Sequence, residues 1–323
     1  MVNDAILPLM KKTILALGAM QSAEMDALES SYNVIKLWKE KDPEAALQSS
    51  RLQVQVILSA YNGMPVTRKI IESLPNLELI AQYGAGLNNI DVATARQRDI
   101  AIVSTPDTPT RDTADTAMAL ILATLRRVVE ADMFVRVGKW ANGAFPASTG
   151  LADKRVGICG FGRIGQAIAK RCAAFDMNVV YNGPREKQNQ PYQYYSDLKE
   201  MAANVDILVM ACPGGDATHH IVNSAVLKAL GSKGYLINIA RGSVVNTEDL
   251  LVALSNREIA GAGLDVYESE PSVPDALISM DNVVLLPHIG GGTVEARSVM
   301  GKLMIANIDA HFNGEPLISP VAA

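Results

Sequence analysis

The sequence predicts an α/β protein built from two parallel-sheet units. Three observations carry this. Short apolar runs alternate with helical stretches almost from end to end. The 323 residues exceed what one compact core usually spans. Proline-bearing crossings near 105 and 288 divide the alternation into two sets. Strands alternating with helices imply parallel pairing through right-handed crossovers. Apolar residues make up 49% of the chain, enough for a large core.

The first set of strands is expected at Thr13–Gly18, Tyr32–Leu37, Val54–Ala60, Leu79–Tyr83 and Ile100–Ser104, with amphipathic stretches such as Met25–Ser30 and Val66–Leu74 between them. The segment KKTILALGAM has the outline of a secretory leader, but Asp4 and its neighbours precede the lysines, and a first strand accounts for the apolar run. Next comes STPDTPTRDTADTA, a loop leading into a helix, with Thr110 or Asp112 as its expected cap. That helix is expected to run to about Met133. The second set of strands is expected at Arg155–Cys159, Asn178–Tyr181, Ile207–Ala211, Gly234–Asn238, Gly261–Asp265 and Val283–Leu286. The loop PHIGGGT then precedes a last helix, Val294–Phe312, expected to return to the first unit. One domain would thus comprise 1–104 with 289–323, and the other 105–288.

Charge is mixed, with Lys+Arg 29 against Asp+Glu 34. A nucleic-acid or anionic-membrane surface would want a basic patch, so neither partner is expected. No apolar run reaches the roughly 18 residues of a membrane span. Cys159, Cys172 and Cys212 are too few and too scattered for a disulfide framework or a zinc site. They read as small buried hydrophobes in a reducing compartment, the cytoplasm, and no metal is expected.

Arg155–Lys170 reads RVGICGFGRIGQAIAK. Gly160, Gly162 and Gly165 form G-x-G-x-x-G between a strand and a helix. The first glycine allows a tight turn, the second a close approach to pyrophosphate, the third helix–strand packing. The helix N-terminus offers N–H donors and the positive end of its dipole. A Rossmann-type dinucleotide site for NAD or NADP is the expectation. About 20 residues past the first glycine, an acid usually takes the ribose hydroxyls of NAD. Here the strand runs VVYNGPREK. Asn182 cannot repel a 2′-phosphate, and Arg185 can bind one. NADP(H) is therefore expected to be preferred, with NAD(H) possible.

Three further residues follow apolar strands of the same set. Arg241 in NIARG has the planar fork that suits a carboxylate, although a lone arginine there is more often a surface ion pair. Glu270 in DVYESEP, like Asp265 and Glu268, would singly read as a solvated loop acid. His288 in PHIGGGT would singly read as a structural histidine. Together they are what hydride transfer to a 2-oxo acid requires. The arginine holds the carboxylate, the histidine protonates the oxygen, and the acid keeps the histidine in its proton-carrying form.

GFGRIG, NIARG, DVYESEP and PHIGGGT in that order, with the earlier QYGAGLNNID and STPDTPTRDTADTA, resemble the D-isomer-specific 2-hydroxyacid dehydrogenases from about Lys12 onward. Among these the chain looks most similar to the glyoxylate/hydroxypyruvate and hydroxyphenylpyruvate reductases. The resemblance implies a Rossmann domain inserted into a flavodoxin-like substrate domain. It implies Arg241, Glu270 and His288 as the catalytic trio. Phe161, Gly162, Arg163 and Ile164 match the pyrophosphate loop, Cys212 and Pro213 the adenosine side, Ile239 the backbone near the nicotinamide, and Asp265 the carboxylate for its amide. Ala85 and Gly86 match the loop whose N–H groups hold the substrate carboxylate. A homodimer is implied, with Trp140 reaching across it. Glu270 departs from the glutamine of formate dehydrogenases, and Gly214–Gly215 replace the usual Leu-Thr pair. His219 and His220 read as local hydrogen-bonding residues. The substrate side chain is expected to meet Tyr61–Pro65 and Tyr83. The expected activity is NADPH-dependent reduction of small 2-oxo acids, glyoxylate and hydroxypyruvate first, arylpyruvates next, to D-2-hydroxy acids. An NAD-dependent dehydrogenase working oxidatively and a nucleotide-sensing, corepressor-like binding protein are the alternatives.

Overall fold

The computed structural model describes residues 11–60, 63–106 and 108–322. They form two compact units, Met1–Thr108 with Val294–Ala323, and Pro109–Thr293. Tyr61 and Asn62, two of the five loop residues expected to meet the substrate side chain, lie outside the described residues.

In the first unit the strands are β1 (Thr13–Ala16), β2 (Asn33–Lys36), β3 (Val54–Ala60), β4 (Leu79–Tyr83) and β5 (Ala101–Val103). They pair in the order β2-β1-β3-β4-β5, all parallel. This is the flavodoxin-like doubly wound order. Side chains alternate between faces. Leu79, Ala81 and Tyr83 point to one core with Met300, Met304 and Ile308 of the last helix, while Ile80 joins Leu15, Ile57 and Leu74 in the other. That last helix runs Val294–Asn313. Tyr83 is therefore a core residue, not a pocket wall: it is 2% exposed, and its hydroxyl donates to the Arg297 carbonyl (3.0 Å).

The second unit holds β6 (Arg155–Cys159), β7 (Asn178–Asn182), β8 (Gln193–Tyr195), β9 (Ile207–Met210), β10 (Tyr235–Asn238), β11 (Gly261–Leu264) and β12 (Val283–Leu285). Their order, β12-β11-β10-β9-β6-β7-β8, is the Rossmann order extended by one strand. The alternation along β9 sorts Ile207 and Val209 to one core and Leu208 and Met210 to the other. β8 was not foreseen, because three residues, QYY, at a sheet edge carry no periodic signal.

The helix after the first crossing differs from expectation at both ends. It begins at Thr110, and its cap position is Pro109, with no side-chain bond from Thr110 or Asp112. The Thr113 N–H closes the first turn on the Pro109 carbonyl (2.9 Å). The helix stops at Leu125 instead of about Met133. Arg127 turns left-handed (φ 53°), and a second helix, Val128–Arg136, starts after it. The Arg127 Nε bond to Glu130 (2.7 Å) secures that break. Apolar composition runs through both helices, so composition could not mark the stop.

Candidate functional site

The turn after β6 shows why each fingerprint glycine is a glycine. Gly160 has φ +96°, and a Cβ there would lie 2.4 Å from the Cys212 nitrogen. A Cβ on Gly165 would lie 2.1 Å from the Gly160 carbonyl oxygen. At Gly162, by contrast, a Cβ would meet nothing within 4 Å. Protein packing thus demands the outer glycines, while the middle one borders open space. Bare backbone facing open space at a helix start is what close approach of a pyrophosphate needs. The helix Arg163–Ala174 starts directly after it, so Arg163 and Ile164 supply first-turn N–H groups. Phe161 sends its ring inward, stacked on Tyr181 with centroids 4.2 Å apart, leaving its backbone to the turn. Cys212 and Pro213 follow β9, across from the Gly160 turn, where the strand order reverses. Ile239, 6% exposed, follows β10, its N–H on the Met210 carbonyl (3.3 Å). The three cysteines are free and buried.

Asn182 ends β7 and is 7% exposed. Its Nδ2 donates to the Tyr195 carbonyl (2.9 Å), and its Oδ1 accepts from the Cys159 thiol (3.5 Å). The amide therefore serves the sheet, and what Asn182 brings to the ribose side is the lack of a carboxylate. The loop beyond it is held at both ends by tyrosines. The Tyr194 hydroxyl donates to the Gly183 carbonyl (2.9 Å), and the Lys187 N–H donates to the Tyr181 hydroxyl (2.9 Å). Arg185 sits exposed between these anchors.

Arg241, Glu270 and His288 follow three consecutive strands, β10, β11 and β12. Asn238 shapes the first turn: its Oδ1 accepts from the Ala240 N–H (3.0 Å), and its Nδ2 donates to the Arg241 carbonyl (3.0 Å). Burial pulls the Arg241 guanidinium below its ordinary pKa, and the Glu270 charge opposes that. Gly242 packs so closely that a Cβ would stand 1.9 Å from the Tyr267 carbonyl carbon.

Glu270 accepts from the Tyr267 N–H through Oε1 (3.0 Å) and meets His288 Nδ1 through Oε2 (2.6 Å). About a third of each side chain stays exposed, 33% for Glu270 and 30% for His288. Burial works to raise the Glu270 carboxyl. The His288 hydrogen bond, the Tyr267 N–H and the charges of His288 and Arg241 outweigh it, and the carboxyl lies below its ordinary range. His288 itself adopts a left-handed backbone (φ 54°). Asp265, 1% exposed, fastens the following residues: Oδ1 accepts from Ile289 N–H and Oδ2 from Gly290 N–H, both at 2.8 Å. Burial raises the Asp265 carboxyl, against those two N–H bonds. The Tyr267 hydroxyl donates to the Leu286 carbonyl (2.9 Å), joining the acid loop to the end of β12. Burial, then the Asp265 charge, pushes that phenol up to about 12.

In the first unit, Ala85 and Gly86 follow β4, after Gly84 at φ 148°. Gln82 Nε2 donates to the Gly86 carbonyl and to Asn89 Oδ1, both at 3.0 Å. Asn89 Nδ2 donates to Ser59 and to the Ala60 carbonyl, again at 3.0 Å. These bonds tie the loop to β3 and β4 through the Gly86 carbonyl and the Gln82 and Asn89 amides. Asn238, Gln82 and Tyr267 escaped the sequence reading. Their signal was present in two cases: a polar residue at or near the end of an apolar strand, as in YLIN and LIAQY.

Among the described residues, no group of His, Cys, Asp and Glu could hold a metal ion, and no helix is long and apolar enough to cross a membrane. Residues 118–290 match the D-isomer specific 2-hydroxyacid dehydrogenase, NAD binding domain, family. The chain is 42% identical to glyoxylate/hydroxypyruvate reductase A of Arabidopsis thaliana over 308 residues, 95% of this chain and 98% of that protein. It is also 42% identical to hydroxyphenylpyruvate reductase of Plectranthus scutellarioides over 294 residues, 91% and 94% of the two chains. The NADPH-dependent glyoxylate/hydroxypyruvate reductase of Sinorhizobium meliloti, solved in complex with NADP and malonate, is alike in structure with a TM-score of 0.89 at 37% identity, over 97% of each chain. With its fingerprint turn, its Arg, Glu and His in the loops after consecutive strands, and these relatives along nearly its full length, the chain belongs to the D-isomer specific 2-hydroxyacid dehydrogenase family.

Proposed function

We propose that this protein reduces small 2-oxo acids to D-2-hydroxy acids with NADPH, glyoxylate and hydroxypyruvate first and arylpyruvates next. The observation that carries the reading is the Glu270–His288 pair at 2.6 Å, on strand ends adjoining that of Arg241. The bound nicotinamide supplies the hydride. Arg241 grips the substrate carboxylate with its planar fork. Its burial strengthens that grip, since a half-desolvated guanidinium gains more from an anionic partner. His288 Nδ1 is engaged with Glu270, so proton donation to the reacting oxygen falls to Nε2. Glu270 keeps the ring oriented. In the first unit, Ala85 and Gly86 are the proposed backbone N–H donors for a substrate carboxylate. Asp265 holds the His288 loop and has lone pairs left for the nicotinamide amide.

Coenzyme preference rests on the Gly183–Lys187 loop. Two tyrosine anchors pre-position Arg185 for a 2′-phosphate, and Asn182 contributes no repelling charge. NADH binds the same turn more weakly. A second copy of this chain is the proposed partner. None of the nine residues of the helix Val128–Arg136 is buried, although Val128, Val129, Met133 and Val135 are all more than half exposed. Trp140, 67% exposed, extends that apolar face. The buried free cysteines support a reducing, cytoplasmic setting.

Initial rates with glyoxylate, hydroxypyruvate and phenylpyruvate, each with NADPH and NADH, test the reading. Arg185→Ala weakens NADPH binding by about 1.5–3 kcal/mol, the range for bonds to charged groups, and leaves NADH nearly unchanged. Equal KM values for both coenzymes in the parent protein would overturn the preference, and no turnover of any 2-oxo acid would overturn the activity.

A further inference from the structure

A second histidine–glutamate pair draws on the same acid loop as the first. His220 Nε2 stands 2.5 Å from Glu268 Oε1, and Glu268 Oε2 accepts from the Thr247 N–H (3.1 Å). His220 lies in the segment after β9, which pairs with the turn that carries Arg241. Its N–H donates to the Ser243 carbonyl (2.8 Å), and the Val222 N–H donates to the Val244 carbonyl (3.0 Å). Glu268 belongs to the acid loop, two positions before Glu270. We propose that His220 and Glu268 are a positioning pair, locking the loop that carries Arg241 to the loop that carries Glu270. The inference rests on the working roles given above to those two residues.

The hydrogen-bond network fixes how the lock is made. Asn246 caps the helix Thr247–Ser255 by accepting the Asp249 N–H on Oδ1 (2.9 Å). A backbone N–H can only donate, so the oxygen of that amide must face Asp249. Asn246 Nδ2 is then the atom 3.2 Å from His220 Nδ1. An NH2 group also donates, so Nδ1 accepts and the ring proton sits on Nε2, aimed at Glu268. A helix cap thereby selects the histidine tautomer that binds the acid loop. His219 stacks on the His220 ring with centroids 3.9 Å apart, and the His220 backbone is left-handed (φ 51°), so ring and backbone are both committed. Beside this pair the Gly242 backbone packs directly against Tyr267 and Glu268. In the Glu268 carboxyl, the Thr247 and His220 bonds outweigh burial and hold it below the ordinary carboxylate range.

Loss of the lock misplaces Arg241 against Glu270 and His288 while leaving the nucleotide turn intact. His220→Phe keeps the ring and its stacking without the donor, and Glu268→Gln leaves one carbonyl oxygen for two donors, so either Nε2–H or the Thr247 N–H meets an NH2. In each, kcat for NADPH-dependent glyoxylate reduction falls by about 10–100-fold, since a misplacement of about 1 Å costs on the order of 10²-fold. The KM for NADPH stays within about twofold, and the double variant is no slower than the slower single one. Turnover near that of the parent in both single variants would overturn the proposal, as would NADPH KM values that rise as much as kcat falls. Nitrogen NMR of the histidine rings and amide exchange at Tyr267 give a readout that needs no turnover. The proposal expects the Nε2–H pattern at His220, and faster Tyr267 exchange in both variants. An Nδ1–H pattern with unchanged exchange refutes it even if the parent proves inactive toward every 2-oxo acid, an outcome that refutes only the activity above.

Discussion

At the scale of single residues, the Glu270–His288 bond has separable consequences for rate and for stability. His288→Gln removes the proton donor but keeps a polar side chain, so kcat falls by about 10²–10⁴-fold while NADPH binding, measured by fluorescence titration, stays near that of the parent. Retention of most of the turnover would remove His288 from the chemistry. The stability consequence has a definite sign. Glu270 lies below its ordinary range in the fold. Its contribution is complete above the unfolded carboxyl pKa of about 4.3 and is lost as pH falls through the lower folded value. In urea titrations carried from neutral to acid pH, Glu270→Gln should lose stability less steeply than the parent. Parallel curves would mean that the bond contributes nothing to the folded state. Asp265 acts in the opposite sense, because burial raises its carboxyl, so its charged form is a cost of folding that the Ile289 and Gly290 N–H groups offset.

At the scale of elements, the fingerprint turn separates packing from binding. Gly165→Ala drives a methyl to within 2.1 Å of the Gly160 carbonyl oxygen, whereas Gly162→Ala meets no protein atom within 4 Å. The first variant should melt well below the parent. The second should melt with it yet bind NADPH and NADH at least ten-fold more weakly, about 1.4 kcal/mol or more. Melting curves and coenzyme titrations check both. Unchanged affinity in Gly162→Ala would place the pyrophosphate elsewhere. The same turn shows what was legible in the sequence. Gly160, Gly162 and Gly165 were readable because backbone geometry leaves a spacing that survives in one dimension. The parallel strands were readable because burial on both faces yields continuous apolar runs such as VQVILSA and ILVM. The break at Arg127 was not, because a left-handed residue followed by an exposed apolar helix looks like more of the same helix. The inward amide of Asn182 and the tyrosine anchors on Gly183 and Lys187 were not either, since they depend on β8, whose three residues carry no period.

At the scale of the whole molecule, the helix Val128–Arg136 leaves Val128, Val129, Met133 and Val135 exposed, and the proposed dimer rests on that face. A groove of about 640 Å³ beside it is lined by Val129, Met133, Phe134, Phe145 and Tyr235. This is the face that the proposed second copy would cover. Met133→Asp with Val129→Asp should convert the assembly to monomers by light scattering, with the parent at twice the monomer mass. A parent that runs as a monomer at micromolar concentration would reject the second copy as the occupant. Arg185 and the Glu270–His288 pair are elsewhere in the chain, so the monomeric variant serves as a control for whether turnover needs the assembly.

The interrupted first unit has a consequence for how the chain is made. Its sheet ends at Val103, but the helix that covers Leu79, Ala81 and Tyr83 is Val294–Asn313, with all of Pro109–Thr293 in between. A ribosome therefore delivers the complete second unit while one face of the first is still bare. The nascent chain carries Ile14, Val56, Leu58 and Leu79 without their cover until Met300, Met304 and Ile308 emerge. The core of the first unit therefore lacks one of its walls until the last helix is made, whereas every element of the second unit is already present.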